Sequence, residues 1–196
     1  MAELWGYKNE SIQEINGSGH MRQKVTSREK ILDAAMEIAV REGVDHVSIR
    51  KLAKGCGIGL GSMYNYYPDK DALIRAVSEN FWNHILQDQD KLYRSGIGFT
   101  MFLEQYYGFL YGRLAQYDTG WLSWINKDSA QRENAVGLLK EVLAQDKRVN
   151  PAIWNMELNQ DAFVEYVFVN LMALLQAGEN NCRFFLFLLE HLLYDA

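Results

Sequence analysis

Apolar residues follow a helical repeat in the first third of the chain. Ile31, Ala34, Ala35 and Ile38 recur at positions i, i+3, i+4 and i+7, so they form one stripe of a helix. Gly43 follows, and glycine readily adopts the left-handed conformation found at many helix C-termini. The pattern therefore predicts a first helix that ends at Gly43.

Two shorter helices are predicted directly after the first. Ser48 offers an N-cap hydroxyl, and Gly57 ends the second helix where the chain can turn sharply. A third helix is expected over about 60–66, before Pro68. Two short helices joined by a tight glycine-containing turn allow one of them to lie in a DNA major groove. Residues 22–70 are therefore predicted to form a helix-turn-helix DNA-binding domain.

The same segment resembles the TetR family of bacterial transcriptional regulators. The matching residues are Ile31 to Ala35, Glu42 and Gly43, Val47 to Ile49, Leu52 and Ala53, Gly57 and Ile58, and Met63 to Leu73. The family often has Ser, Thr, His and Phe at the positions of Gly59, Ser62, Asn65 and Tyr67. The resemblance covers about a quarter of the chain. It implies dimerisation through the last two long helices and a C-terminal cavity for a small effector.

Side chains on the third helix are candidates for reading DNA bases. Asn65 could bond an adenine edge, and Leu60 could touch a thymine methyl group. The candidate DNA-binding residues are Ser48, Arg50, Lys51, Leu60, Gly61, Ser62, Tyr64, Asn65, Tyr67 and Lys70. The resemblance favours Tyr64 and Tyr67 at the DNA surface, whereas Tyr66 is assigned to the core. The alternative, that all three tyrosines are core residues, stays open.

The charge distribution agrees with a nucleic-acid partner for this segment. The net charge is −5 for 196 residues. Residues 22–70 carry nine Lys or Arg and six Asp or Glu, whereas residues 71–196 carry ten and sixteen. Positive charge is therefore concentrated in the predicted DNA-binding segment, where it can attract phosphates.

The rest of the chain also has helical periodicity. A long linking helix is predicted over about 69–94, and further helices over 99–116, 118–126, 129–146, 159–176 and 181–193. We found no alternation typical of strands, and the two prolines lie at expected helix boundaries. The fold class is therefore predicted to be all-α, with an effector-binding and dimerisation domain over 71–196. Residues 1–21 are interpreted as a flexible arm or an expression-tag remnant.

The last two predicted helices are apolar nearly all round, and such helices must be buried on all sides. One of them could be a central core helix, but for both together a subunit interface in a homodimer is the preferred interpretation. The predicted interface residues are Phe168, Leu171, Leu175, Phe185, Leu189 and Leu192.

Aromatic residues crowd the middle of the C-terminal part. An aromatic stripe at helical spacing is usually core, and that reading remains open here. The alternative is the wall of an effector cavity, which would suit an aromatic or lipophilic ligand, either apolar or cationic, through stacking and cation–π contact. The candidate effector-binding residues are Phe102, Tyr106, Phe109, Trp121, Trp124 and Trp154.

Other classes of function find little support in the sequence. The four histidines are scattered, and we found neither a phosphate-binding loop nor a nucleophile elbow, so no catalytic residue is assigned. Cys56 and Cys182 are far apart and lack metal-ligand spacing, so no metal or cofactor is expected, and a reducing cytoplasm is favoured. No apolar run reaches the ~20 residues that a bilayer requires, so no membrane partner is expected.

These observations predict a homodimeric repressor that occupies a palindromic operator in double-stranded DNA and is released by a small effector. An activator or a ligand-independent regulator of the same fold would have the same sequence features. A helical interaction module without DNA binding is the third alternative.

Overall fold

In the computed structural model, residues 26–92, 96–115, 117 and 129–194 are described, and their regular elements are all helices. This confirms the predicted all-α fold. The helices are α1 (Arg28–Glu42), α2 (Ile49–Cys56), α3 (Leu60–Tyr66), α4 (Lys70–Ile85), α5 (Phe99–Leu114), α6 (Ser129–Gln145), α7 (Gln160–Gln176) and α8 (Arg183–Tyr194). The segments 1–21 and 118–126 lie outside the described residues. None of the described helices is both long and apolar enough to cross a membrane.

The chain divides into two compact units, Met1–Val77 and Ser78–Ala196, and the division falls within α4. In the N-terminal unit, α1 packs on α2 and α2 packs on α3. The Ser27 hydroxyl caps α1 by accepting a hydrogen bond from the Lys30 amide, and Gly43 ends the helix with a φ of +97°. The core of this unit includes apolar side chains that are at most 1% exposed: Ile31, Ala35, Met36, Ala39, Val47, Leu52, Met63, Tyr67, Leu73 and Val77.

Helix α4 is shorter than the sequence predicted. It ends at Ile85, and a short 3-10 helix follows over Gln89–Leu92. Between them Asp88 takes a φ of +72°, a left-handed conformation that interrupts the helix. The prediction of a helix to about residue 94 was therefore wrong at its C-terminal end.

In the C-terminal unit, α5 packs against α8, α7 and α6, and α6 packs along α7. The inner face of α5 is almost completely buried and includes Phe99, Phe102, Leu103 and Tyr107. The Tyr107 hydroxyl donates to the Glu179 carbonyl oxygen at 2.7 Å, which joins α5 to the loop between α7 and α8.

One buried carboxylate joins three further parts of this unit. Asp146, just after α6, is 7% exposed and accepts hydrogen bonds from the Phe99 amide (2.8 Å) and the Tyr194 hydroxyl (2.6 Å). It also accepts from Nε of Arg148 at 3.0 Å. Burial acts to raise the pKa of the Asp146 carboxyl, but the hydrogen bonds from Arg148, Tyr194 and the amides outweigh it and hold the pKa well below its usual range. The start of α5 and the end of α8 are thereby fixed to one charged group.

Candidate nucleic-acid interface

The structure reproduces the predicted helix-turn-helix geometry. The Ser48 hydroxyl accepts from the Lys51 amide at 3.2 Å and so caps α2. Gly57 ends α2 with a φ of +67°, and the Ile58 amide returns to the Ala53 carbonyl at 3.0 Å. Helix α3 then begins at Leu60 and ends at Tyr66, the range that the sequence predicted.

Helix α3 has one inner and one outer face. Met63 is fully buried, so it holds α3 against the unit. On the outer face Leu60 is 39% exposed and Tyr64 is 47% exposed. Gly61, Ser62 and Asn65 are exposed as well. These five candidate residues therefore share a solvent-facing surface, which we call the α3 outer face.

Glycine at position 61 is not required by the packing of the chain. A methyl group there would meet no atom of the described residues within 4 Å, and its backbone is ordinary helix. An alanine would favour the helix, because glycine costs about 0.5–1 kcal/mol relative to alanine in a helix interior. Glycine at position 61 therefore lowers the helix propensity of α3 without a packing reason among the described residues.

The structure corrects the assignment of two tyrosines. Tyr67 is completely buried, and its hydroxyl donates to the Arg28 carbonyl at 3.4 Å while the Arg28 guanidinium lies 5.1 Å from its ring centre. It is therefore a core residue, and the prediction that it lies at the DNA surface was wrong. Tyr66, assigned to the core, is only partly buried and donates to the Thr26 carbonyl at 2.9 Å. Both rings attach the region around α3 to the start of α1.

Charged side chains surround the α2 N-terminus. Lys51 pairs with Glu42, which also pairs with Arg41 at 2.7 Å. Hydrogen bonds from Lys51 and then Arg41 lower the pKa of the Glu42 carboxyl to about 2, so this group stays ionised near neutral pH. Arg50 and Lys70 are exposed, as is Lys54, which the sequence analysis did not single out.

The described members of the predicted effector-binding set lie in different surroundings. Phe102 and Tyr106 are at most 3% exposed and stack on each other in the core, with ring centres 5.5 Å apart. Burial raises the pKa of Tyr106 to about 12. Phe109 lies half-buried under Arg113, and Trp154 packs edge-on against Phe163. Trp121 and Trp124 lie outside the described residues.

A small cavity of about 220 Å³ lies elsewhere in the C-terminal unit. It is open between α5 and α8, and its lining residues are Thr100, Met101, Glu104, Arg148, Leu186, Glu190 and Tyr194. None of these belongs to the predicted effector-binding set.

The predicted dimer-interface residues are mostly buried within the single chain. Phe168, Leu171, Leu175 and Leu189 are at most 4% exposed, so they contact their own core and the prediction was wrong for these four. Phe185 is half-buried and Leu192 is 39% exposed. The apolar surface that is exposed on α7 and α8 shares only Leu192 with the predicted set. We call it the α7/α8 outer face, and its large side chains are Tyr166, Val169, Phe184, Phe187, Leu188 and Leu192.

Part of the N-terminal unit is similar to known proteins. Residues 31–77 match the family model described as "Bacterial regulatory proteins, tetR family". The uncharacterized HTH-type transcriptional regulator YvdT of Bacillus subtilis (strain 168) is 44% identical over 63 residues, which are 32% of each chain. The HTH-type transcriptional regulator UidR of Escherichia coli (strain K12) is 37% identical over 65 residues, which are 33% of this chain and 30% of UidR. The matched region therefore spans about a third of these relatives.

The fold is also similar to a solved structure. A crystal structure of BioQ with its natural double-stranded DNA operator has a TM-score of 0.63 and covers 86% of this chain and 98% of BioQ. The two sequences are 18% identical, so the likeness concerns the fold.

Proposed function

We propose that this chain is a transcriptional repressor, because residues 31–77 match the model of the tetR family of bacterial regulatory proteins and a similar segment is found in an HTH-type transcriptional regulator. In this proposal a homodimer binds a palindromic operator, and binding of a small effector releases the protein from the DNA. The observation that carries the proposal is the α3 outer face: a capped helix-turn-helix presents short and polar side chains to solvent within a positively charged segment. Such a face fits the edges of bases in a major groove.

We assign two kinds of contact to this interface. Asn65 and Ser62 would bond base edges, and Leu60 would touch a thymine methyl group. Tyr64 and Lys70 would bind phosphates, as would the α2 N-terminus at Ser48 with Arg50 beside it. Lys51 would contribute less, since its ammonium group is already paired with Glu42. Tyr67 is not included, because its side chain is buried.

The effector part of the proposal rests on the C-terminal unit. By linkage, a ligand that lowers DNA affinity must itself bind more weakly to the DNA-bound protein, by the same factor. Such a ligand must prefer the state with low DNA affinity.

Salt dependence tests whether the chain binds DNA through phosphates. Duplexes enriched from a random pool by the full-length protein would be titrated at several salt concentrations. We expect the log of affinity to fall with the log of salt at a slope of about −4 or steeper, because two heads release several counterions each. Affinity that does not change with salt, or a pool that yields no preferred sequence, would contradict the proposal.

Replacing Gly61 should separate folding from DNA binding. Gly61→Ala is expected to raise the free energy of unfolding by about 0.5–1 kcal/mol, since it improves helix propensity without a clash. The added methyl group would occupy the space of a close contact with DNA, so operator affinity should fall about tenfold or more. Chemical denaturation and fluorescence anisotropy measure the two effects.

Gly55→Ala in α2 is the matched control. A methyl group at Gly55 also meets no described atom within 4 Å, but this residue lies near the C-terminal end of α2 rather than on the α3 outer face. We expect it to leave operator affinity unchanged. If Gly61→Ala bound the operator as tightly as the wild type, α3 would not approach DNA at this residue.

A further inference from the structure

Helix α4 buries two polar groups that have no partner. Ser78 and Trp82 are each 1% exposed. Neither the Ser78 Oγ nor the Trp82 Nε1 has a hydrogen-bond partner within the described structure. The two residues are four apart on one helix, so they lie on the same face, one turn from each other.

Two unpaired donors on one helix face lower the stability of the folded protein. Each buried donor without an acceptor lowers the folding equilibrium by about tenfold to a hundredfold. The buried carboxylate of Asp146 in the same unit, in contrast, is paired with Phe99, Arg148 and Tyr194. A buried donor that the described residues leave unpaired can be satisfied by an acceptor from a bound ligand.

Aromatic rings lie beside this pair of donors. Phe81 meets Trp82 edge to face, with ring centres 5.4 Å apart and planes at 85°. It meets Tyr117 in the same way, at 5.1 Å and 81°. An apolar aromatic neighbourhood next to two hydrogen-bond donors has the composition of a small-molecule site.

We propose that Ser78 and Trp82 bind the acceptor oxygen of the effector, and that the effector is a neutral aromatic or lipophilic molecule carrying a ketone, ester or amide carbonyl. This deepens the proposed function and rests on it. Both donors are uncharged, so a carboxylate would lose more hydration than they return, whereas a neutral carbonyl oxygen loses little. The Trp82 indole can only donate, and the Ser78 hydroxyl can rotate to donate beside it.

A matched pair of probes tests the ligand class. Acetophenone and ethylbenzene have nearly the same shape, but only acetophenone has an acceptor oxygen. In the ¹⁵N–¹H spectrum of the full chain, acetophenone should move the Trp82 indole signal downfield, as expected for a new hydrogen bond, and ethylbenzene should not. Acetophenone should bind about tenfold more tightly than ethylbenzene, because a tenfold difference in affinity corresponds to one net hydrogen bond. Trp82→Phe identifies the signal by removing it.

Variants then distinguish this site from others. Ser78→Ala should reduce the preference for acetophenone, and Trp154→Phe, which removes an indole on another element, should leave it intact. Without ligand, Ser78→Ala should melt at the same temperature as the wild type or higher, because it removes an unpaired group. Equal binding of the two probes, no shift of the Trp82 signal at millimolar acetophenone, or a lower melting temperature for Ser78→Ala would each overturn the inference.

Operator affinity separates this inference from the proposed function. If acetophenone shifts the Trp82 signal without changing DNA affinity, the ligand site stands and the effector mechanism fails. If an effector found by screening releases DNA without moving the Trp82 signal, the mechanism stands and the assignment of Ser78 and Trp82 fails.

Discussion

Leu188→Glu is expected to convert the protein to a monomer and to lower operator affinity by about a hundredfold or more. Leu188 is half-exposed in the middle of α8, so the single chain can solvate a carboxylate there. In the proposed dimer the same position is buried, and each dimer would enclose two unpaired charges, at a cost of several kcal/mol each. Losing the second DNA-binding head removes the gain of about 10²–10⁴ that bivalent binding gives.

We propose that a second copy of the chain covers the α7/α8 outer face. On α7 the exposed residues Ala162, Tyr166, Val169 and Ala173 recur at i, i+4, i+7 and i+11, which is one stripe of a helix. The stripe on α8 joins it, because the rings of Tyr166 and Phe185 lie 6.3 Å apart. A continuous apolar surface on two helices can pair with the same surface of a second copy about a two-fold axis.

Met156→Glu is the control for the dimer variant. Met156 is 98% exposed and lies outside α7 and α8, so it introduces the same charge at an apolar site away from the proposed interface. Sedimentation velocity should give a dimer for the wild type and for Met156→Glu, and a monomer for Leu188→Glu. A dimeric Leu188→Glu protein would show that another surface joins the subunits.

Asp146→Ala is expected to destabilise the protein by about 3 kcal/mol, because it leaves buried donors without an acceptor. The Phe99 amide and the Tyr194 hydroxyl lose their partner, and so does the Arg148 guanidinium. Asp161→Ala is the matched control: Asp161 pairs with Lys140 at 2.9 Å, but its side chain is 80% exposed, so its loss should cost less than about 1 kcal/mol. Urea denaturation measures both.

The Asp146 effect should depend on pH in one direction. The pKa of its carboxyl is lower in the folded chain than in the unfolded chain, where it is about 3.9. Its contribution to stability is therefore complete above that value and is lost as the pH falls toward the folded pKa. The difference in free energy of unfolding between the wild type and Asp146→Ala should be constant near neutral pH and should become smaller below about pH 4. A difference that grew on acidification would contradict the role assigned to this carboxylate.

Local signals were sufficient to predict the helix boundaries of the N-terminal unit. The Ser48 hydroxyl caps the start of α2, and Gly57 ends it by taking a left-handed conformation. Both effects involve only residues within one turn, so they can be predicted without the rest of the fold. The end of α4 had no such signal: the helix ends at Ile85, and the left-handed residue that follows it, Asp88, is not a glycine or a proline. Apolar residues also occur after Asp88, so the periodicity predicted a helix that continued too far.

Assigning a residue to a surface needed the tertiary structure. Helices α7 and α8 are apolar nearly all round, so periodicity could not show which side faces the chain's own core. Tyr67 is different, because the resemblance contained a signal: the family often has Phe there, and a position that tolerates Phe does not depend on a hydroxyl. Ser78 also had a sequence signal, since it continues the apolar stripe of Ile74, Phe81 and Ile85 on α4.

Hydroxyl-radical footprinting of the wild-type protein on its selected duplex tests the central claim most directly. If α3 of each subunit lies in a major groove, the footprint should show two protected half-sites related by two-fold symmetry. Their centres should be about one helical turn, or a multiple of it, apart. A single asymmetric footprint, or uniform protection without a preferred register, would contradict the account.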